Sequence, residues 1–265
     1  MAITTFDGFL ASAKQYVRMF KSASRTSIAA AWFSVFDLAG NPGAGTLAGS
    51  STAAGVVPDD TTAGAPSITT FGGGATGYLA QVDFGSTVAC RLKIFDMLFK
   101  AGAYAFNANT TLAAQPSYSG RVPGGTDFTD TQIWIEAVTA FTGNLSVAVT
   151  YTNQAGTTAR TTGTVALGTA PTVGRMIQLP LAAGDTGVQK IESVVATVST
   201  VGTFNVLVLR PLWSGRCRLA NDGDVHDLAK TAMPQLFDTS CIIMAVNADS
   251  TATGIPEIEL VIANG

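Results

Sequence analysis

Asn144-Leu145-Ser146-Val147-Ala148-Val149-Thr150-Tyr151 decides how the chain is read. Leu145, Val147, Val149 and Tyr151 alternate with small or polar residues, the period of a strand with one face on a core. Asn153-Gln154-Ala155-Gly156 follows as a turn, and Thr157–Leu167 returns as a second strand. The same period recurs on both sides of this hairpin. Val88, Cys90, Leu92 and Ile94 alternate with Arg91 and Lys93; Ile258, Leu260 and Ile262 alternate with Glu257 and Glu259. Thr131–Val138, Arg175–Leu181, Val188–Val198, Thr203–Leu209 and Ser240–Val246 are further strand candidates. Ala183-Gly184-Asp185 and Val201-Gly202 punctuate them. Many short strands with frequent turns predict a mainly β fold, an antiparallel β-sandwich of jelly-roll-like type.

Two segments depart from this period. Phe6, Phe9, Leu10, Ala13, Val17 and Phe20 recur at helical spacing, and Thr4 with Asp7 makes a capping-box-like start. Lys14, Arg18, Lys21 and Arg25 form a second, basic stripe. The spacing predicts an amphipathic helix over 1–25, either a docking helix or an ordinary surface helix. Near the C-terminal end, Asp224 reads as a helix cap, with Val225, Leu228, Ala229 and Ala232 behind it and Pro234 as the stop. A short helix is expected around 224–233.

Residues 26–77 differ again. After Trp32, Phe33, Val35, Phe36 and Leu38 comes a run of Gly, Ala, Thr, Ser and Pro, including Asn41-Pro42-Gly43 and Gly72-Gly73-Gly74. This composition buries too little apolar surface to offset its own ordering entropy. It is expected to be an extended arm, ordered by lying across neighbouring subunits with its aromatic cluster as anchor. The body is then 78–265.

Composition narrows the function. Charged residues make up 12% of the 265 residues, against about 25% in an ordinary soluble domain. A surface built from Thr, Ser, Gly, Ala and Asn is easily covered, because few charges must be stripped of water. The net charge of −3 argues against a nucleic-acid binder, which needs clustered Lys and Arg. No apolar run is long enough for a membrane helix, and Met1 leads into Thr and Asp without a signal-peptide pattern. Cys90, Cys217 and Cys241 form no C-x-x-C pair and read as buried thiols.

Little chemistry is legible. His226 is the only imidazole, so a hydrolase would run through it with Asp222 or Asp224. The spacing fits neither an EF-hand nor a zinc site. An acid-rich turn before a helix explains the cluster better. Asp59-Asp60 reads as a solvated loop. The glycines at 72–74 lack the Lys-Ser/Thr of a phosphate loop. No catalytic, cofactor or metal residue is assigned, and the chain is expected not to be an enzyme. Aromatic residues are interface candidates, because Trp and Tyr are favoured at contact hot spots: Phe6, Phe9, Trp32, Phe33, Phe36, Trp134 and Trp213. Trp32, Trp134 and Trp213, with Tyr104 and Tyr118, are also candidates for stacking on sugar rings, with Trp134 and Tyr118 the residues to test and a glycan as the lesser partner.

Three phrases carry a family resemblance. They are Ile3-Thr4-Thr5-Phe6-Asp7-Gly8-Phe9, the run Pro116–Asp127, and Arg210–Arg216 with Asn221–Leu228. Together the chain resembles virion structural proteins of tailed bacteriophages, most nearly capsid decoration (cement) proteins. The resemblance implies a β-sandwich or β-tulip body, a homo-oligomer with the trimer favoured, and clamping of capsomer junctions against the major capsid protein. It implies no catalytic residues, and a virion location after synthesis in the host bacterial cytoplasm. A tail-tube or other tail subunit is the alternative. A major capsid protein fits less well, since no long spine helix is present.

Overall fold

The structure is a computed structural model that describes residues 3, 5–107, 109–142, 144–169, 172–196 and 201–265, with the side chains of 144–145 and 166–169 outside the description. In chain order, helix α1 (Phe6–Ala11) leads into β1 (Ala13–Lys21), β2 (Ala31–Ser34), β3 (Gly40–Asn41), β4 (Gly77–Ser86) and β5 (Cys90–Ala105). Next come β6 (Asn109–Thr111), β7 (Gln132–Ala137), β8 (Asn144–Asn153), β9 (Arg160–Thr161), β10 (Val165–Thr169), β11 (Arg175–Leu179) and β12 (Val188–Ala196). The chain ends with β13 (Thr203–Cys217), β14 (Asp222–His226), helix α2 (Leu228–Thr231), β15 (Gln235–Leu236), β16 (Ile242–Ala248) and β17 (Pro256–Asn264).

The fold is mainly β and sandwich-like, and its strand ladders are antiparallel. Six strands close a barrel in the order β11-β2-β16-β5-β13-β7. One sheet, β14-β4-β17-β1-β3 with β15 on β4, covers one side; a second, β10-β8-β12-β6 with β9 on β8, covers another. Three buried clusters fill the layers. Trp32, Phe95, Trp134, Met176, Leu207, Leu209, Ile243 and Ala245 touch one another and come from all six barrel strands, so this cluster lies inside the barrel. Leu92, Ile94, Met244 and Val246 point the other way, onto Val17, Leu79, Val82, Leu260 and Ile262 of the first sheet. Leu98, Phe99, Ile133, Ile135, Val206 and Val208 point onto Val147, Val149, Tyr151, Ile191 and Val194 of the second.

The hairpin read from Asn144–Leu167 is present as β8 with β9 and β10, its inward residues Val147, Val149 and Tyr151 fully buried. The end of the Val188–Val198 strand and the Thr4 cap lie outside the described residues. The hairpin is tied to the 182–187 loop through Asp185. That carboxylate accepts from Tyr151 Oη at 2.6 Å, Asn153 Nδ2 at 2.8 Å and Arg160 Nε at 2.8 Å.

Three sequence expectations need correction. The helix over 1–25 stops at Ala11; Ser12 caps it, its hydroxyl donating to Phe9 O at 2.7 Å. From Ala13 the chain is a strand, paired from Ala13↔Asn264 to Phe20↔Glu257. Val17 and Met19 turn inward while Tyr16 and Arg18 face out. A stripe of apolar residues three or four apart also contains period-two positions, and pairing with a buried partner strand selected the latter. The helix expected around 224–233 is only Leu228–Thr231. Its cap is Asp227, which accepts from the Ala229 and Lys230 amides at 3.2 Å each. Asp222–His226 instead pairs with β4.

The arm of 26–77 is extended but rests on its own subunit. Ala31–Ser34 is a barrel strand, and Phe33, Val35 and Phe36 are core residues. Beyond them, body side chains satisfy the arm's backbone. Lys100 Nζ donates to Thr46 O at 2.8 Å, Asn205 Nδ2 to Leu47 O at 2.6 Å, and Tyr104 Oη to Thr52 O at 2.8 Å. Val56 and Lys100 exchange backbone bonds at 2.9 and 3.0 Å. Gly55, at φ +67, passes so close to Phe99 that a Cβ would stand 2.2 Å from its ring. The groups that bond the arm's backbone belong to the same chain.

One buried knot joins arm, barrel and loop. Asp96, fully buried, pairs with Arg121 and, at 3.3 Å, with Arg210; Ser240 Oγ donates to it at 2.9 Å. Arg121 also donates to Pro58 O and to Met97 O. Asp96→Ala leaves two buried guanidinium groups without their carboxylate and is expected to cost about 3–5 kcal/mol in urea unfolding; a loss under about 1 kcal/mol contradicts this account. Hydrogen bonding, led by that from Arg160, holds the Asp185 carboxyl down at about 2. Its stabilising effect is full above the ordinary carboxylate value and is lost as pH falls through about 2. Asp185→Asn is therefore expected to lower Tm near neutral pH, with the gap to wild type closing toward pH 2 in an acid melting series.

Candidate functional site

His226 packs against aromatic rings and bonds an indole. It ends β14, and its Nδ1 accepts from Trp213 Nε1 at 2.9 Å. Phe84 packs edge-on against both rings, at centroid distances of 4.6 Å to Trp213 and 5.1 Å to His226. Asp224 is 3.6 Å from Nε2 and is shared at the same distance with Lys230. The imidazole thus serves as the acceptor for a buried indole. His226→Ala orphans the Trp213 N–H and is expected to cost about 1–3 kcal/mol in denaturant melts, with His226→Gln recovering part of the loss.

The aromatic interface candidates fall into two groups. Phe33, Phe36, Trp134 and Trp213 are buried, at 0%, 4%, 1% and 6% exposure. Their expected role as contact surface is corrected: each is spent on the subunit's own core. Trp134 shares a face of its strand with Gln132 and Glu136. That face points into the barrel, where Trp134 Nε1 donates to Gln132 Oε1 at 2.9 Å and Glu136 accepts from Asn205 at 2.8 Å. Tyr118 is no sugar platform either. It is buried, its hydroxyl donates to Val188 O at 2.9 Å, and burial pushes its phenol well up.

Phe6, Phe9 and Trp32 keep exposed surface. Helix α1 has no buried residue; Phe6 is 61% and Leu10 58% exposed, and Tyr16 just beyond is 68% exposed. Phe9 is half-covered, with Lys14 Nζ 4.8 Å above its ring. The strand that follows is open on one side. β1 pairs with β17 along its length, but β3 reaches only Phe20 and Lys21. Among the described residues, no strand pairs with Ala13–Met19 on that side. An unpaired edge and an uncovered apolar helix thus lie end to end.

Trp32 marks a different place, one end of the barrel. Trp32 lines two cavities, of about 340 and 230 Å³. Lys93 Nζ lies 4.9 Å from the Trp32 ring, 5.6 Å from Trp134 and 5.8 Å from Phe95. Burial lowers the pKa of this ammonium. The cationic character of the mouth was not legible, because Arg91 and Lys93 alternate with core residues just as solvent-facing residues do. A larger cavity of about 430 Å³ lies on the first sheet among Asp83, Asp222, Glu257 and Glu259. Arg18 pairs with Glu257 there, and no metal-holding group of three such side chains occurs among the described residues.

No protein-family model matches the chain, and no curated protein matches it. Solved structures give weak likenesses. One is the structure of infectious bursal disease virus Gt strain, at 9% identity over 95% of this chain and 81% of that one, with a TM-score of 0.19. Another is the crystal structure of the infectious bursal disease virus VP2 subviral particle, at 10% identity over 96% and 80%, with a TM-score of 0.18. At such scores the folds do not superpose as wholes, and the likeness carries no weight for mechanism.

Proposed function

We propose that the protein is a non-enzymatic structural subunit of a virus particle, working by association with copies of itself and with neighbouring virion proteins, as a capsid decoration protein does. The observation that carries this is the uncovered helix α1 running into the open edge of β1. Three exposed apolar side chains there, Phe6, Leu10 and Tyr16, lie beside a row of backbone donors and acceptors without strand partners. Lys14 and Arg18 stand on this strand, the kind of charge that blunts an edge in a solitary protein, but among the described residues no strand covers Ala13–Met19 on that side. A partner that adds a strand to β1 would bury the helix in the same step.

Other features agree. The surface is charge-poor, so covering it requires little desolvation of ions. The sequence phrases Ile3–Phe9, Pro116–Asp127, and Arg210–Arg216 with Asn221–Leu228 resemble tailed-phage virion proteins. A barrel with a sheet on each of two sides and the arm bonded to it suits a subunit under mechanical load. The gripping element differs from the one the sequence suggested. The 26–77 arm is committed to its own subunit, which leaves the N-terminal helix and β1 to make contact.

The double variant Phe6→Ser/Leu10→Ser tests this. Both side chains are exposed, so unfolding free energy should change by no more than about 0.5 kcal/mol each. Self-association in sedimentation velocity and binding to particles lacking the protein should both be lost. Normal binding by the folded variant overturns the proposal. Imaging of particles adds the position: copies at head lattice points support decoration, and copies along a tail exclude it.

A further inference from the structure

We infer that the end of the barrel around Trp32 is a binding site for an acidic carbohydrate, one whose sugar ring stacks near the indole and whose carboxylate meets Lys93. This stands apart from the assembly reading, since none of its residues belongs to α1 or β1.

The barrel itself creates the site. Inward positions of successive strands become neighbours at its end, so Asn247 stands opposite both Trp32 and Arg91 in the ladders. Ser214 is opposite Lys93, and Arg216 opposite Arg91. Three cations therefore gather with Trp32, lining the 340 Å³ cavity: Arg91, Lys93 and Arg216. Among the described residues, Asp249 is the one carboxylate paired with them. It is 3.4 Å from Arg91 and 3.8 Å from Arg216, in contacts that are about half exposed. The Lys93 ammonium has neither a hydrogen bond nor an ion pair among the described residues. It is held by aromatic faces alone, partly stripped of water. In a chain of net charge −3, this is a local excess of positive charge with one member left uncompensated.

The second cavity lined by Trp32 supplies hydrogen-bonding groups with nothing to bond. Asn247 is 93% buried by its 7% exposure, and its Oδ1 has no partner. Arg175 Nε is likewise buried and unpaired, in a side chain that lies over the Phe33 ring. Both residues line the 230 Å³ cavity that Trp32 also lines. A buried polar atom without a partner normally costs stability and needs a reason. A ligand hydroxyl donating to Asn247 would remove that cost. The combination selects the ligand class. An aromatic wall with amide and guanidinium groups suits the apolar face and hydroxyls of a sugar. A desolvated ammonium beside two guanidinium groups selects an anionic substituent. A simple anion would leave Trp32 and Asn247 unused, and a neutral sugar would leave Lys93 unused.

The test is calorimetric titration of the full-length protein at low salt with tri-galacturonic acid, maltotriose, inorganic phosphate and tri-glutamate. Saturable binding of tri-galacturonic acid is expected, about tenfold or more tighter than maltotriose and weakened by added salt. Arg216→Gln, at an exposed position, should fold normally and weaken binding several-fold. Lys93→Met should abolish it, and Trp32→Phe should weaken it without changing its salt dependence. Absence of saturable binding overturns the inference, as does an affinity unchanged in folded Arg216→Gln. Equal binding of phosphate would reduce the site to a general anion pocket and overturn the sugar class. Tighter binding of tri-glutamate would overturn it in favour of a protein carboxylate. If Lys93→Met does not fold, Arg216→Gln and the ligand series still decide.

Discussion

The structure depends on one long antiparallel pairing, β5 with β13. It runs from Cys90↔Cys217 to Ala105↔Thr203, with register shifts that bend it along the way. Both strands are too long for one sheet neighbour to cover. Their outward residues meet the first sheet near Leu92 and Trp213, and the second near Phe99 and Val206. Their inward residues, Phe95, Met97, Leu207 and Leu209, fill the barrel. A change of register by one residue would exchange barrel interior for sheet contacts over the whole length. Three cores therefore share one alignment, and the polar knot at Asp96 and Arg210 lies on this ladder as well.

This arrangement also settles what the glycine- and threonine-rich arm does. Its backbone groups need partners, and the buried polar side chains of the barrel strands supply them: Lys100, Tyr104 and Asn205 each donate to an arm carbonyl. The polar residues of the body are buried because the arm covers them, and the arm is ordered because they are there. Neither half accounts for itself without the other. Among the surfaces the described residues leave uncovered are helix α1, the open edge of β1 and the cationic mouth of the barrel.

The alternation in Asn144–Tyr151, Val88–Ile94 and Glu257–Ile262 was enough to determine a mainly antiparallel β chain, because a period of two follows from backbone geometry alone. What only the tertiary structure decided was which face of each strand met which neighbour. Trp134 and Lys93 both lie on strands with alternating patterns. No periodicity can say that one face of such a strand points into a closed barrel rather than to solvent. The stretch from Ala13 to Lys21 fits two periods, and pairing with Pro256–Asn264, far away in sequence, chose between them. Trp213 and His226, thirteen residues apart, and Asp96 with Arg210 became partners for the same reason: strand pairing sets contact by register, and register is fixed by burial summed over the whole fold, which no local window of sequence contains.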